Sequence, residues 1–156
     1  MDFALPEIGE GIYEAELINW LVKPGQAVKR GTVISYGRTL PLCVQAADEL
    51  RQQAGKTCDV LDLRSIFPYD WKAVSASVAR TGRVLIVNED TEVTNFGEHL
   101  LRRIVDEHFY DLLVRPRLLA GKHVPGIGLN QVYEQNTVPQ LPPVKAALQS
   151  VATEAA

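Results

Sequence analysis

Cysteine is scarce in this sequence, and its two cysteines lie in different kinds of pattern. Cys43 falls within a helical pattern, whereas Cys58 opens a strand-like run, CDVLDL. Free cysteines are among the residues most often buried in globular proteins. The sequence gives no spacing that favours a disulfide or a metal-binding pair. We therefore interpret both cysteines as buried thiols.

The sequence also lacks an excess of charge of either sign and any long apolar run. Its formal net charge is −3 and its Lys and Arg residues are dispersed, so nucleic acid and anionic membranes are not indicated as partners. No apolar stretch approaches the roughly 20 residues that span a bilayer. The start, MDFALPEIGE, is acidic and lacks the basic region of a secretory signal. We expect a cytoplasmic protein without a membrane segment.

The composition itself is typical of a folded protein. Apolar residues make up 46% and charged residues 22% of the 156 residues. These values are ordinary for a soluble globular domain, and the length leaves room for a small appendage. The pattern changes near residue 32. We therefore divide the chain into an arm over residues 1–32 and a domain over residues 33–156.

The arm, residues 1–32, has a strand-like pattern. Alternate residues of EAELINWLV share a face, and Pro24 with Gly25 then supplies a turn, which predicts a β-hairpin. With the residues given at the end of this paragraph, the arm resembles the N-terminal half of the lipoyl domain of 2-oxo acid dehydrogenase acyltransferases. Gln26 stands where those domains usually have an aspartate. The matching residues are Pro6, Ile8, Gly9, Glu10, Gly11, Glu14, Ile18, Trp20, Val22, Lys23, Gly25 and Val28.

The resemblance implies a lipoate-carrying lysine between an aspartate and an alanine, and the sequence has none. Its lysines, all in other contexts, are Lys23, Lys29, Lys56, Lys72, Lys122 and Lys145. We therefore predict no lipoylation site. A lone piece of about 32 residues buries too little surface to offset its chain entropy. Two alternatives stay open: two chains pair their half-domains in a homodimer, or each arm is mobile or loosely docked.

From Thr32 onward, strand-like and helix-like patterns alternate. TVISYG, CDVLDL and RVLIVNE predict strands, and the last is apolar enough for burial on both faces. RTLPLCVQAADELRQQAG and WKAVSASVARTG predict helices. This alternation predicts an α/β fold with a doubly wound, mostly parallel sheet. The inward positions of the two helices are Cys43, Ala46, Ala47, Leu50 and Ala54, then Ala73, Val74, Ser77 and Val78.

The remaining sequence continues the alternation. GEHLLRRIVDEHFY predicts a helix, LLVRPRLLAG a strand, HVPGIGLNQVYEQNTVPQ a loop-rich stretch and LPPVKAALQSVA a closing helix. His99 and His108 lie on opposite sides of their helix at about 100° per residue, so they cannot share a metal ion. We interpret His108 as a hydrogen-bonded residue at the edge of the core. GIGLNQ lacks the flanking strand and helix of a dinucleotide-binding loop. The apolar stripe comprises Leu100, Leu101, Ile104, Val105, His108 and Phe109.

The domain carries a second set of matching residues: Tyr36-Gly37, Leu61-Asp62-Leu63-Arg64 with Pro68 and Asp70, Ser77-Val78, Thr81-Gly82-Arg83, Val87-Asn88-Glu89 and Phe96-Gly97. With them it resembles the C-terminal transketolase-like domain of a beta subunit. That subunit belongs to the thiamine-diphosphate-dependent component of pyruvate or branched-chain 2-oxo acid dehydrogenases. Asn88 stands where the family often has histidine. The resemblance implies an alpha subunit and the acyltransferase of such a complex as partners.

The same resemblance implies that thiamine diphosphate is held elsewhere. In that family it lies between the alpha subunit, which has a Gly-Asp-Gly motif, and the N-terminal domain of the beta subunit. The sequence contains no Gly-Asp-Gly, and decarboxylation of a 2-oxo acid needs the thiazolium as an electron sink. We therefore predict no catalytic, cofactor-binding or metal-ligating residue, with thiamine diphosphate and lipoate bound by other parts of the complex.

Two polar residues after the first strand of the domain are candidates for ligand or partner contacts. Ligands of α/β folds bind outside the carboxyl ends of the strands. Arg38 and Thr39 lie there, just before the amino end of a predicted helix. A guanidinium group and free helix amides could together hold an anion.

Three further candidates follow the other predicted strands. Arg64 follows CDVLDL, and Glu89 and Asp90 end or follow RVLIVNE. Arg64 could contact a ligand or could form a structural ion pair with Asp70 or Glu89. Glu89 and Asp90 could act in acid-base chemistry, or be solvated or cap a helix.

Three functional interpretations follow. The chain is a non-catalytic assembly and docking domain of a 2-oxo acid dehydrogenase, or a small-molecule enzyme with a site at the strand ends, or a rearranged fragment without function. The junction at KRGTVISYG favours the first and the third, because a single internal loss would remove both the lipoyl lysine and the thiamine-binding domain.

Overall fold

A four-stranded, wholly parallel sheet forms the centre of the protein, for which a computed structural model describes residues 30–155. The strands are β1 (Arg30–Ser35), β2 (Thr57–Asp62), β3 (Val84–Thr91) and β4 (Arg117–Gly121). Their order across the sheet is β2-β1-β3-β4. Residues 1–29 of the predicted arm lie outside the described residues. The division of the chain at residue 32 therefore stays a prediction.

Five helices connect the strands or follow them: α1 (Leu40–Ala54), α2 (Trp71–Thr81), α3 (Phe96–His108), α4 (Gln131–Thr137) and α5 (Leu141–Thr153). Short 3-10 turns precede α1 at Gly37–Thr39 and follow α3 at Phe109–Asp111. Gly55 and Gly82 end α1 and α2 in the left-handed conformation that glycine adopts easily. No helix among residues 30–155 is long and apolar enough to cross a membrane.

The sheet is covered on both faces, which confirms the predicted doubly wound α/β fold. Neighbouring residues of a strand point to opposite faces. Accordingly, Val33 packs with α1 and α5, whereas Ile34 packs with α2 and α3. The run from Val84 to Val87 in β3 is wholly buried, as its apolar sequence predicts. Each face therefore has a core of its own.

Several details of the sequence prediction are wrong. Ala54 and Ala73 are exposed although their spacing placed them inward. Phe109 is 63% exposed because it begins the 3-10 turn, where the helical periodicity of α3 no longer applies. The predicted strand LLVRPRLLAG begins only at Arg117, after a proline that cannot donate to a strand ladder. The loop-rich stretch contains α4, which Asn130 caps by accepting a hydrogen bond from the backbone of Val132.

Two sets of buried polar groups connect helices to the sheet. Under α2, the hydroxyl of Thr32 lies 2.7 Å from both Ser77 Oγ and Thr81 Oγ1. At the other face, Arg83 is 3% exposed and its Nη1 donates to the carbonyl of Val151 at 2.7 Å. Lys56 donates to the next carbonyl, that of Ala152, at 3.2 Å. These two cations hold the last turn of α5, where helix carbonyls would otherwise lack donors.

Both cysteine thiols are free. Cys43 is completely buried on α1, and burial raises the pKa of its thiol. Cys58 on β2 is partly buried, and burial raises the pKa of its thiol to about 11. The prediction of a buried thiol is confirmed for Cys43, whereas Cys58 is only partly buried.

Candidate functional site

The carboxyl ends of the four strands meet at one edge of the sheet, and this edge holds the residues that the sequence singled out. Arg38 and Thr39 follow β1, Arg64 follows β2, and Glu89 and Asp90 lie in the last part of β3. Because all strands are parallel, these five residues share the same end of the sheet. Their side chains, however, are used in different ways.

The side chains of Arg38 and Thr39 lie in different environments, the first at the surface and the second in the interior. The guanidinium group of Arg38 forms an ion pair with Glu134 of α4, with Nη2 and Oε1 at 2.8 Å. Thr39 is completely buried. Its hydroxyl lies 2.9 Å from Ser35 Oγ and can donate to the carbonyl of Val87 at 3.3 Å. The hydroxyl therefore holds the turn against the sheet, and Arg38 connects that turn to α4.

Arg64 pairs with its near neighbour in sequence. Its Nε lies 3.1 Å from Oδ2 of Asp62, so the predicted pairing with Asp70 or Glu89 is wrong. Asp70 instead caps α2 by accepting a hydrogen bond from the backbone of Ala73 at 3.0 Å. The Arg64 side chain is 89% exposed, and an exposed ion pair contributes between 0 and about 1 kcal/mol. Arg64 thus remains available to a partner.

Glu89 and Asp90 set the electrostatic potential at the end of β3. Burial, followed by the charges of Asp90 and Glu89, raises the pKa of the Tyr36 hydroxyl. Asp90 also accepts a hydrogen bond from the backbone of Thr91 at 2.8 Å. Both carboxylates are close to a phenol that stays protonated, which gives this part of the edge hydrogen-bonding capacity for a polar ligand or partner.

A buried amide lies behind these carboxylates. Asn88 is fully buried, and its Nδ2 donates to Oδ1 of Asn95 at 3.1 Å. The carbonyl oxygen of Asn88 has no hydrogen-bond partner among the described residues. Gly97 lies so close that an added Cβ would be 2.5 Å from Asn88 Nδ2. The first turn of α3 therefore rests directly on the sheet.

An aromatic cluster next to this edge was not predicted from the sequence. Tyr69 contacts Phe96 edge to face, with ring centroids 5.2 Å apart, and its hydroxyl accepts a hydrogen bond from Arg103 at 2.8 Å. The same guanidinium lies 4.0 Å from the ring centroid of Trp71 and also bonds Glu107. This hydrogen bond from Arg103 lowers the pKa of Glu107. The concentration of aromatic residues in IFPYDW was the sequence signal from which this cluster could have been predicted.

His108 is a hydrogen-bonded residue at the edge of the core, as predicted. Its ring is largely buried, and its two nitrogens contact Ser75 at 2.8 Å and Asp111 at 2.7 Å. His99 instead contacts the hydroxyl of Tyr69 at 2.9 Å. The two histidines thus have separate partners. The sequence could not indicate Ser75 and Asp111, because the first lies on another helix and the second lies beyond α3.

The most exposed apolar surface of the described chain follows β4. We call residues 122–137 the apolar segment. The segment is attached to the rest of the domain by the ion pair of Glu134 with Arg38 and by contacts of His123 with Thr91 and Glu92. A bond from Lys122 N to the carbonyl of Thr137, at 2.8 Å, joins its two ends. Its exposed apolar side chains, 37 to 106% accessible, are Val124, Ile127, Leu129, Val132 and Tyr133. An apolar surface held in this way is typical of an interaction site.

The described residues do not fit thiamine diphosphate and its divalent metal ion. Among residues 30–155, no group of three or more His, Cys, Asp or Glu side chains could hold a metal ion. The two arginines at the sheet edge that could hold a diphosphate are each paired with a carboxylate. We therefore derive no chemistry from that cofactor in this chain.

Comparison with known proteins gives a consistent result. The family model described as the transketolase C-terminal domain matches residues 22–144, a match that begins inside the predicted arm. The 2-oxoisovalerate dehydrogenase subunit beta of Pseudomonas aeruginosa is 35% identical over 111 residues, which cover 70% of this chain and 29% of the relative. The same subunit of Bacillus subtilis is 31% identical over 121 residues, with coverages of 78% and 37%.

A structural comparison agrees on the fold. A solved chain titled "Split gene transketolase, inactive beta4 tetramer" superposes with a TM-score of 0.67 at 22% identity. The superposition covers 85% of this chain and 44% of the other. This chain therefore spans less than half the length of each of the relatives that it matches here.

Proposed function

Because the chain belongs to the family of transketolase C-terminal domains, we propose that it acts as the C-terminal portion of a 2-oxo acid dehydrogenase beta subunit. In this role it serves subunit association and docking within a pyruvate or branched-chain 2-oxo acid dehydrogenase complex. Beta subunits of both kinds are among its relatives. Its partners are an alpha subunit and the acyltransferase, and thiamine diphosphate and lipoate are bound by other parts of the complex.

The observation that carries this proposal is the apolar segment. Five of its apolar side chains are exposed, and Leu129 is fully so. Burying such a side chain in a partner is favourable by about 1.5–3 kcal/mol. The ion pair of Glu134 with Arg38 and the bond that joins Lys122 to Thr137 order the segment before a partner arrives, which reduces the entropy lost on binding. Arg38 then serves to position a docking surface through its ion pair with Glu134, and not to bind an anion.

The exposed polar groups at the sheet edge complete the surface. Arg64 is 89% exposed and Asp90 is also exposed, and such groups are common at the rim of an interface. We further propose that the arm, with its resemblance to half of a lipoyl domain, pairs with a second arm in a homodimer. The alternative, an arm that is mobile or loosely docked, predicts a monomer.

Light scattering tests the proposal. The full chain is measured alone and then mixed with the alpha subunit or with the subunit-binding domain of the acyltransferase. We expect a complex with at least one of them. We also expect Leu129→Asp, which places a charge in the apolar segment, to weaken that complex at least tenfold. The matched control is Val44→Asp on the outer face of α1, where the side chain is 45% exposed; it should bind as the natural chain does.

The same experiment can contradict the proposal. If neither partner binds, the rearranged-fragment interpretation is favoured. If Leu129→Asp and Val44→Asp weaken binding equally, docking does not use the apolar segment. A full chain that is monomeric at every concentration refutes the pairing of arms and leaves the docking proposal to be decided by the mixtures.

A further inference from the structure

Ser75, His108 and Asp111 form a hydrogen-bonded series that the proposed docking function does not use. Ser75 Oγ lies 2.8 Å from Nε2 of His108, and Nδ1 of the same ring lies 2.7 Å from Oδ2 of Asp111. A carboxylate can only accept, so Nδ1 carries the ring proton and Nε2 accepts the hydrogen of the serine hydroxyl. This order of hydroxyl, imidazole and carboxylate activates a serine nucleophile on several unrelated folds.

The imidazole is the most buried of the three groups, which suits a general base. The side chain of His108 is 10% exposed and that of Asp111 47% exposed, and Ser75 is partly exposed. The ring of Trp71 lies 6.2 Å from the imidazole. The base is thus largely shielded from water, whereas the serine residue is partly exposed.

We propose that Ser75 is a nucleophile that accepts acyl groups from small activated esters, with His108 as its general base and Asp111 as a positioning residue. The bond from Ser75 Oγ to the acyl carbon forms as Nε2 takes the hydroxyl proton. The ester C–O bond breaks as that proton passes to the leaving oxygen. Water then attacks the acyl carbon, Nε2 takes a proton from it, and the carboxylic acid leaves as Ser75 regains its hydrogen.

The position of Ser75 inside α2 determines how fast this reaction is. Backbone N–H groups in a helix interior donate to carbonyls four residues earlier, so the backbone around Ser75 supplies no oxyanion hole. Lys72 lies one turn earlier on the same side of α2, and its exposed ammonium group can face the developing oxyanion. Loss of an oxyanion-hole donor costs about 10²–10³ in rate. Both acylation and deacylation are therefore slow. With an activated ester the acyl intermediate accumulates, because the ester reacts with the serine faster than water attacks the acyl serine.

Two exposed rings next to Asp111 indicate the class of substrate. Phe109 and Tyr110 pack edge to face with centroids 5.3 Å apart, and they are 63 and 98% exposed. A flat apolar leaving group can rest against them. Aryl esters of small carboxylic acids are the class that combines such a group with an activated acyl carbon.

Labelling with a fluorophosphonate tests the nucleophile in the full chain. Ser75 Oγ forms a bond to phosphorus and fluoride leaves, so intact mass spectrometry should find one adduct per chain, mapped to Ser75. Asp111→Asn, at an exposed position, should label at least tenfold more slowly with an unchanged melting temperature. Ser65→Ala, which removes an exposed serine elsewhere, should label like the natural chain. With p-nitrophenyl acetate we expect a burst of about one equivalent of phenolate.

Three results would each overturn the proposal. One is the absence of an adduct at a large excess of probe. Another is an adduct that maps to a serine other than Ser75, or that persists in Ser75→Ala. The third is labelling of Asp111→Asn at the natural rate, because the carboxylate would then have no part in orienting His108. Since Asp111→Asn and Ser65→Ala alter exposed residues, the test does not depend on whether Ser75→Ala folds.

Discussion

Replacing Arg83 with methionine should lower the free energy of unfolding by about 2 kcal/mol. The side chain is 3% exposed, and its Nη1 donates to the carbonyl of Val151 at 2.7 Å. A hydrogen bond from a charged group contributes about 1.5–3 kcal/mol. The positive charge also lies at the carboxyl end of α5, where a cation adds up to about 2 kcal/mol in a partly buried position.

Desolvation of the guanidinium group reduces this sum. Removing a buried charge in favour of an apolar side chain of similar volume recovers part of that cost. Methionine keeps the length of the side chain and creates little cavity, so the net loss should be about 2 kcal/mol. For a chain of this size, that loss corresponds to a decrease in melting temperature of about 4–8 °C.

Urea unfolding followed by circular dichroism measures the effect. The m value should be unchanged while the midpoint falls. The matched control is Arg51→Met, which removes a cation that is 51% exposed and paired with Asp48 on the surface of α1. That control should change stability by less than about 0.5 kcal/mol. If Arg83→Met is no more destabilising than Arg51→Met, the buried cation does not hold α5 and our reasoning is refuted.

Three further predictions concern single positions. Thr94 is a β-branched residue with φ of 63°, so Thr94→Gly should relieve backbone strain and raise stability by about 0.5–1 kcal/mol in urea unfolding; a decrease would contradict the strain. Gly97→Ala should cost about 1–3 kcal/mol in the same assay, because its Cβ would lie 2.5 Å from Asn88 Nδ2, whereas Gly126→Ala meets nothing within 4 Å and should be close to neutral. The pKa of Cys58, about 11, is raised by burial, so this thiol should resist iodoacetamide at pH 8 until the chain unfolds. Because the unfolded thiol ionises at lower pH, its contribution to stability should be lost as pH rises from about 9 to 11.

The sequence predicted the sheet and most of the helices because these depend on local patterns. RVLIVNE is apolar on both faces, and the strand it forms is buried from Val84 to Asn88. The spacing of Cys43, Ala46 and Leu50 correctly identified the inner face of α1. The short helix α4 was missed because its residues 131–137 show no apolar stripe. Its signal was the capping asparagine, Asn130, which is easily taken for a loop residue.

Contacts at the candidate site were harder to predict because they join distant parts of the chain. Arg64 was expected to pair across the edge, but Asp62, two residues earlier, is within reach of its guanidinium group. Arg38 meets Glu134 only because α4 folds back over the turn that follows β1. Such pairings depend on the path of loops, which periodicity does not specify. Ser75 and His108 meet for the same reason, since their helices pack side by side.

The two cores of the sheet are completed at different times during synthesis. The core beneath α2 and α3 uses no residue later than Leu118, whereas the core beneath α1 needs Val144, Leu148 and Val151 of α5. Until α5 has been synthesised, the face of the sheet beneath α1 is exposed to solvent, and so is part of the apolar side of α1. Chains at that stage are the ones that a chaperone should recognise. Once α5 has been synthesised, the carbonyls of its last turn can accept hydrogen bonds from Arg83 and Lys56, and this face of the sheet is covered.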